Sequence, residues 1–482
     1  MSDAKRDGTK VTDSLKTLKS IARGVRKDGF VGARNLGRYM RNPLSFLTEA
    51  HERGGDIARM KMLGGTWILL SHPDDLDRAF VKMHKHTERD AYVVVLERAL
   101  GKGLLTAGGD LWKRQRHLAS FAFTPKKIRT YADAMVEVTA RGISGWRDDQ
   151  SLDLYQETSR ITMDVVAEVL FGTGVRDDEV VQVREALEVM NEFFANSPEA
   201  ILRLPAWFPT PRNYRMNEAV KKIDEIVYRF IEQRRKSDAE HDDLLQALIA
   251  ATDDEGTRMS DQQLRDEVVT LFLAGHETTA LALGHTFFLL SRHPEVQRRL
   301  QAELDGALGG QSPRLADLDA LPYLDRVLKE SMRLFPPAWT TGREVSEPFE
   351  IRGETMPKGA QLLMSQWVVH RDPRWWPNPE AFDPERWTPD QIKARPKFAY
   401  FPFGGGPRTC IGNHFAMMEA KLMLATILAR FQLDLFPGEH LTLKPSVTLR
   451  PKKSVRVRVR ARQQFARGEM LHPRGRAEAA GA

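Results

Sequence analysis

Phe401-Pro-Phe-Gly-Gly-Gly-Pro-Arg-Thr-Cys410-Ile-Gly412 holds the single cysteine of a 482-residue chain. One thiol cannot form an internal disulfide, which leaves an inert side chain, a nucleophile or a metal ligand. Gly404, Gly405 and Gly406 permit a tight bend and close approach to a flat partner, and Pro407 fixes one dihedral of that bend. Beyond the loop, Phe415, Met418, Leu422 and Ala425 recur at helical spacing, with Leu424, Ile427, Leu428 and Phe431 on adjoining faces. Cys410 therefore stands just before a helix N-terminus, where free N–H groups and the dipole favour a thiolate, and Arg408 adds positive charge beside it.

Phe403, Gly404, Gly406, Arg408, Cys410 and Gly412 together resemble the haem-binding signature of the cytochrome P450 family. The resemblance implies a haem b whose iron is ligated by Cys410, with Phe403, Arg408 and Gly412 around it. Cysteine ligation of haem pushes electron density toward the opposite face and favours O–O cleavage. A buried structural cysteine is the competing reading of Cys410 alone, and it leaves the surrounding glycines unexplained.

Other stretches follow the same family order. Trp112-Lys-Arg-Gln-Arg116 sets an indole donor and a guanidinium four residues apart on one helix face; in the family such a pair binds a haem propionate. Lys113, Arg114, Lys126 and Lys127 are candidates for docking an electron donor or form a solvated face.

Leu271 to Leu290 is an almost wholly apolar helix ended at His293-Pro294, yet it carries His276 and Glu277 near its middle. A carboxylate is costly in a dry core, so a wet functional cavity is expected there. The run Ala274-Gly275-His276-Glu277-Thr278-Thr279 resembles the family's oxygen-activation motif: Ala274 and Gly275 leave room for the cofactor, and Glu277 with Thr278 suits proton relay through water. A zinc-protease helix would need a histidine at position 280, which is alanine.

Glu330 and Arg333 lie three residues apart on a further helix, and Pro384-Glu-Arg386-Trp387 supplies the second arginine that the family pairs with them. The expectation is a buried structural network. Phe335 to Arg343 then leaves the helix; resemblance puts Pro337 to Thr341 beside the substrate and Arg343 on a propionate. Substrate contacts are expected from Leu271, Ala274, Ala338 and Trp339.

Net charge is +7, and many of the basic residues lie toward the two ends. No nucleic-acid motif accompanies the charge, so an acidic redox partner fits better than a nucleic acid. The N-terminus shows no apolar run like a signal peptide or anchor. Val11, Leu15, Leu18, Ile21 and Val25 recur at helical spacing among lysines and arginines, which reads either as peripheral membrane contact or as a solvated helix.

Strands are expected over Ile57–Leu63 and Thr66–Leu70 as a hairpin, and over 455–460. A second hairpin is expected from 349–351 with 361–364. Residues 86 to 110 read as irregular, either lining a pocket or simply packing. The apolar, proline-rich run Leu204–Arg212 reads as a lid or a packed connector.

The chain is thus expected to be mainly α with a small β region in the cytochrome P450 fold. Its parts are a basic segment 1–40, a catalytic domain 41–462 and a disordered tail 463–482. The implied function is a cytoplasmic haem-thiolate monooxygenase inserting one atom of O2 into an apolar fatty acid, terpenoid or steroid-like substrate. With no flavin, nicotinamide or iron–sulfur motif, electrons would come from a ferredoxin or flavodoxin with a reductase. A haem-thiolate isomerase or peroxygenase would use the same cysteine without a donor, and a haem sensor would need a signalling domain that the sequence lacks.

Overall fold

The computed structural model describes residues 29–172, 177–196, 207–237 and 241–462. The amphipathic Val11–Val25 segment, the break at Ser197-Pro198, the first part of the Leu204–Arg212 run and the 463–482 tail lie outside these residues. Helices α1 (Gly29–Arg41) and α2 (Pro43–Gly54) precede a hairpin of β1 (Ile57–Met62) and β2 (Gly65–Leu70). Then come β3 (Thr87–Arg89), α3 (Ala91–Leu100), α4 (Gly109–Ser120), β4 (Ser151–Asp153), α5 (Leu154–Phe171), α6 (Asp177–Asn196), α7 (Pro211–Lys236) and α8 (Asp261–Arg292). The second half holds α9 (Pro322–Leu334), β5 (Thr341–Val345), β6 (Phe349–Ile351), β7 (Glu354–Met356), β8 (Gln361–Met364) and α10 (Asn413–Arg430). It closes with β9 (Phe431–Leu435), β10 (Leu443–Pro445), β11 (Leu449–Pro451) and β12 (Arg456–Ala461).

The main sheet runs β1-β2-β8-β5-β3, with β2 and β8 parallel and the other pairs antiparallel. The expected pairing of 349–351 with 361–364 is not formed. Phe349–Ile351 instead closes a tight hairpin on β7, while β8 is captured by β2 and β5. Arg352 and Gly353, both at positive φ, make that tight turn, a signal that the longer Pro357-Lys-Gly359 turn outweighed. The alternating strand near the C-terminus forms as β12, between β4 and β9.

Two core clusters share α8. Its second half joins α5, α9 and α10 through residues such as Val165, Leu283, Leu324 and Leu424. Its first half joins α6 and α7 through Val268, Phe272, Leu187 and Ile226. Each such buried aliphatic side chain contributes about 1.5–3 kcal/mol, so α8 is the axis on which both halves close. Ser260 caps α8 in a reciprocal capping box with Gln263, so that the helix begins at Asp261, ten residues before the apolar run.

The segment after His86 is also more regular than its sequence implies. Asp90 accepts a hydrogen bond from the Val93 N–H and starts α3, which buries Leu96, Ala99 and Leu100. The run of β-branched residues there conceals the helical period. The folded body also begins earlier than residue 41. In α1, Asn35 Nδ2 donates to Lys61 O, and Tyr39 packs edge-on against Phe46 and Trp67.

Candidate active site

The cysteine loop is shaped by its neighbours. Gly406 has φ +68°, and a Cβ there would sit 1.9 Å from Phe80 O; a Cβ on Gly405 would strike Phe398 at 2.5 Å. The close approach that these two glycines permit is therefore to protein, while Gly404 faces open space. Cys410 N–H donates to Phe403 O at 3.0 Å, and Thr409 N–H and hydroxyl both donate to Gly406 O. Gly412 is the N-cap of α10.

The Cys410 side chain is exposed, yet protein crowds it closely enough that desolvation pushes the thiol up from its ordinary value. The Gly412 N–H and the Arg116 guanidinium pull the other way and lose. The thiolate expected from helix position alone is thus not what the protein stabilises by itself. A bound metal ion deprotonates a coordinating thiol outright, so the ion's own charge must supply the missing stabilisation.

Around the loop stands a set of cations, of which Arg116, Arg343 and Arg408 form no ion pair among the described residues. Arg116 Nη1 donates to Thr409 O, tying α4 to the loop. Arg408 lies 4.3 Å over the Trp112 ring and donates to Ala107 O. Burial, then repulsion from Arg343 and Arg89, push Arg408 down to about 10. Arg343 and Arg89 are paired across β5 and β3. Among the described residues the Arg343 guanidinium donates only to Gly342 O, and burial lowers it too, against the pull of Asp90. Arg89 Nη1 is buried without a hydrogen bond, with Glu97 Oε2 3.5 Å away as its ion-pair partner. The propionates of a haem are the anions that such a cluster lacks, so the residues present fit that group. Arg89 was not among the sequence candidates; a lone arginine after a histidine-rich stretch carries no pattern.

Helix α8 carries the second part of the candidate site. Between Leu264 and Leu290 every residue is buried except Leu271, Ala274, Gly275 and Thr278. These follow i, i+3, i+4, i+7 and form one stripe on one face. Ile411, next to Cys410, and Leu271 both pack on the core cluster that the first half of α8 helps to form.

Glu277 and Thr278 do not bond to each other. Thr278 Oγ1 donates to Ala274 O at 2.7 Å, whereas Glu277 is buried and accepts from Thr448 Oγ1 at 2.6 Å and from Arg450 Nε in a short ion pair. His276 is held off the stripe, with Nε2 3.0 Å from both Ser159 Oγ and Ser159 O, and burial pushes it down to about 4, so it stays neutral. Thr448 and Arg450 were also missed, since they lie more than 170 residues from the acid that they hold.

The structural triad assembles with every charge paired. Glu330 and Arg333, both fully buried, form a two-pronged pair at 2.8 and 2.9 Å. Arg386 Nε stands 3.3 Å from Glu330, and Trp387 Nε1 and Asp383 N–H donate to the same carboxylate. Arg333 also donates to the carbonyls of His370, Pro379 and Ala381. His370 Nε2 in turn accepts from Phe401 N–H, so the network reaches the start of the cysteine loop.

Trp339 departs from expectation. It is 3% exposed, sits in the core cluster with Leu44 and Leu449, and donates to Ser446 O, which leaves no face for a substrate. Ala338 beside it is half-buried. Trp207 and Phe208 are exposed. Three of the four cations considered for docking are ion-paired within the chain: Lys113 to Asp110, Arg114 to Asp253 and Lys127 to Asp242. Among the described residues no helix is long and apolar enough to cross a membrane, and no cluster of three or more His, Cys, Asp or Glu could hold a metal ion.

Residues 30–459 match the family profile described as Cytochrome P450. Cyclooctatin synthase of Streptomyces melanosporofaciens is 36% identical over 413 residues, covering 85% of this chain and 89% of its own. Pentalenene oxygenase of Streptomyces avermitilis is 31% identical, covering 88% and 94%. Among solved structures, the haem domain of cytochrome P450DA superposes with a TM-score of 0.80 at 28% identity, over 88% of this chain and 94% of that one. A retinoic-acid-bound cyanobacterial relative gives 0.77 at 28% identity, over 87% and 95%.

Proposed function

The chain belongs to the cytochrome P450 family, and from that premise we propose that its substrate is a cyclic terpenoid. The reaction class is that of a haem-thiolate monooxygenase: RH + O2 + 2e⁻ + 2H⁺ gives ROH + H2O, with both electrons delivered by a redox partner. The substrate reading is supported by relatives named cyclooctatin synthase, cyclooctat-9-en-7-ol 5-monooxygenase and pentalenene oxygenase.

Haem b, when bound, supplies the oxygen and electron chemistry. Cys410 holds its iron, while Trp112, Arg116, Arg343, Arg408 and Arg89 hold its propionates; Phe403 and Gly412 border it. Ala274 and Gly275 keep α8 thin where the cofactor and substrate must fit. Leu271, Ala274 and Ala338 exclude water and contact the apolar substrate. Glu277 and Thr278 pass protons through water to the reacting oxygen, since they share no direct bond. A ferredoxin or flavodoxin with its reductase serves as donor, and the protein works in the cytoplasm, with the basic N-terminus available for membrane contact.

The observation that carries this reading is the unburied stripe Leu271, Ala274, Gly275 and Thr278 on an otherwise buried α8. The test takes the purified, haem-loaded protein. Its reduced carbon monoxide complex should absorb strongly to the red, as thiolate ligation requires. Pentalenene, cyclooctat-9-en-7-ol, retinoic acid and a linear fatty acid should then be titrated against the Soret band. A shift with the fatty acid alone would overturn the terpenoid assignment.

A further inference from the structure

The hairpin of β10 and β11 is clamped on both sides. Leu449 N–H donates to Pro337 O at 2.9 Å, and Trp339 Nε1 donates to Ser446 O, so one side is fixed to the segment that follows α9. On the other side His285 Nε2 meets Leu449 O at 3.0 Å, with His285 Nδ1 held by Tyr155 Oη. Within the turn, Ser446 N–H and Oγ both donate to Thr448 O, and Val447 packs on the cluster that contains Leu271. Thr448 and Arg450 project from this rigid piece onto α8, and both grip the same oxygen, Oε1 of Glu277. Among the described residues no donor reaches Oε2 of that carboxylate.

We propose that Thr448 and Arg450 are positioning residues for proton delivery: they fix Glu277 by one oxygen and leave the other for a water. Glutamate has three free side-chain torsions, so an unanchored carboxylate samples many orientations, few of them useful to a relay. Two donors on one oxygen remove that freedom without occupying the second. The proposal rests on the reading of Glu277 as the acid of the relay, and it adds that a hairpin far along the chain decides where that acid points. The competing account is a clip: the ion pair merely fastens the hairpin to α8.

The experiment uses the full haem-loaded chain, driven by a surrogate plant-type ferredoxin and its reductase, without added substrate. Peroxide released per NADPH is measured for wild type, Glu277→Gln, Arg450→Met, Arg450→Lys, Thr448→Val and the double variant Glu277→Gln/Arg450→Met. Thermal unfolding of each protein is recorded beside it. Arg450→Met should raise the peroxide ratio several-fold, on the order of ten, with the thiolate spectrum of the carbon monoxide complex kept. Thr448→Val should do so less, Arg450→Lys should restore much of the loss, and the double variant should be no worse than Glu277→Gln.

Unfolding midpoints should be non-additive across the cycle, because the two residues share one contact. If Arg450→Met and Thr448→Val lower the midpoint yet keep the wild-type peroxide ratio while Glu277→Gln raises it, the ion pair is a clip and the proposal falls, with the acid reading intact. If Glu277→Gln leaves the ratio unchanged, the acid reading itself falls. Additive midpoints would show that the pair does not form in solution. Should Arg450→Met fail to fold, Arg450→Lys and Thr448→Val carry the same comparison.

Discussion

Cys410 shows what one residue can and cannot do unaided. Desolvation pushes the thiol up from its ordinary value, so a thiolate there would need more stabilisation than the Gly412 N–H and Arg116 provide. Cys410→Ser should remove the red-shifted carbon monoxide band entirely, read in a reduced difference spectrum. Gly406→Ala should cost about 1–3 kcal/mol or more in urea unfolding, since a left-handed backbone and a clash with Phe80 O coincide there. Two buried acids carry a pH signature. Burial raises Glu267 and Glu419 to about 8 from 4.5. Between those values the unfolded chain binds fewer protons than the folded one, so stability is full below pH 4.5, declines as pH rises toward 8 and levels off above it. Glu267→Gln should flatten that slope in melts at pH 5, 6.5 and 8; an unchanged slope would mean that Glu267 is ionised in the fold. At this scale the sequence was most legible where a motif fixes spacing, as for Cys410, Trp112 and Arg116. Arg89, Thr448 and Arg450 belong to no pattern, because what gives them a role is proximity created by folding.

The elements divide in the same way. Helix α9 could be read from its Glu-x-x-Arg spacing, and its partner Arg386 arrives in a short turn whose Asp383 caps it through Glu385 N–H. Glu330→Gln should cost about 3–5 kcal/mol by stranding Arg333, which is fully buried. Chemical denaturation with haem retention as a second readout checks this. The loss should also loosen the loop, because Arg333 reaches Phe401 through His370. Helix α3 and the first ten residues of α8 were concealed for opposite reasons. In α3 an apolar run of β-branched residues masks the helical period. In α8 the polar residues Arg265, Asp266 and Glu267 are buried by tertiary partners such as Leu104 N–H and Asp224, so polarity misstates their position. The strand exchange around β8 could not be foreseen locally, since both partners precede it in the chain, β2 far upstream and β5 beyond the intervening β6–β7 hairpin.

For the molecule as a whole, the body includes α1, ahead of residue 41. A chain beginning at Pro43 should be less stable than one beginning at Gly29 by on the order of 2 kcal/mol, the burial given up by Leu36 and Tyr39. Thermal scans of the two proteins measure the difference. The main sheet has a further consequence. Residues Trp67 to Leu70 find their parallel partners at Gln361 to Met364. At synthesis rates of 5–20 residues per second, that gap amounts to roughly 15–60 s. Throughout that interval β1 covers only one edge of Ile68-Leu-Leu70, the edge that β8 will take stays open, and open edges recruit copies of themselves. Chaperone supply and the pace of translation, more than the stability of the finished enzyme, should therefore govern how much of it a cell recovers in usable form.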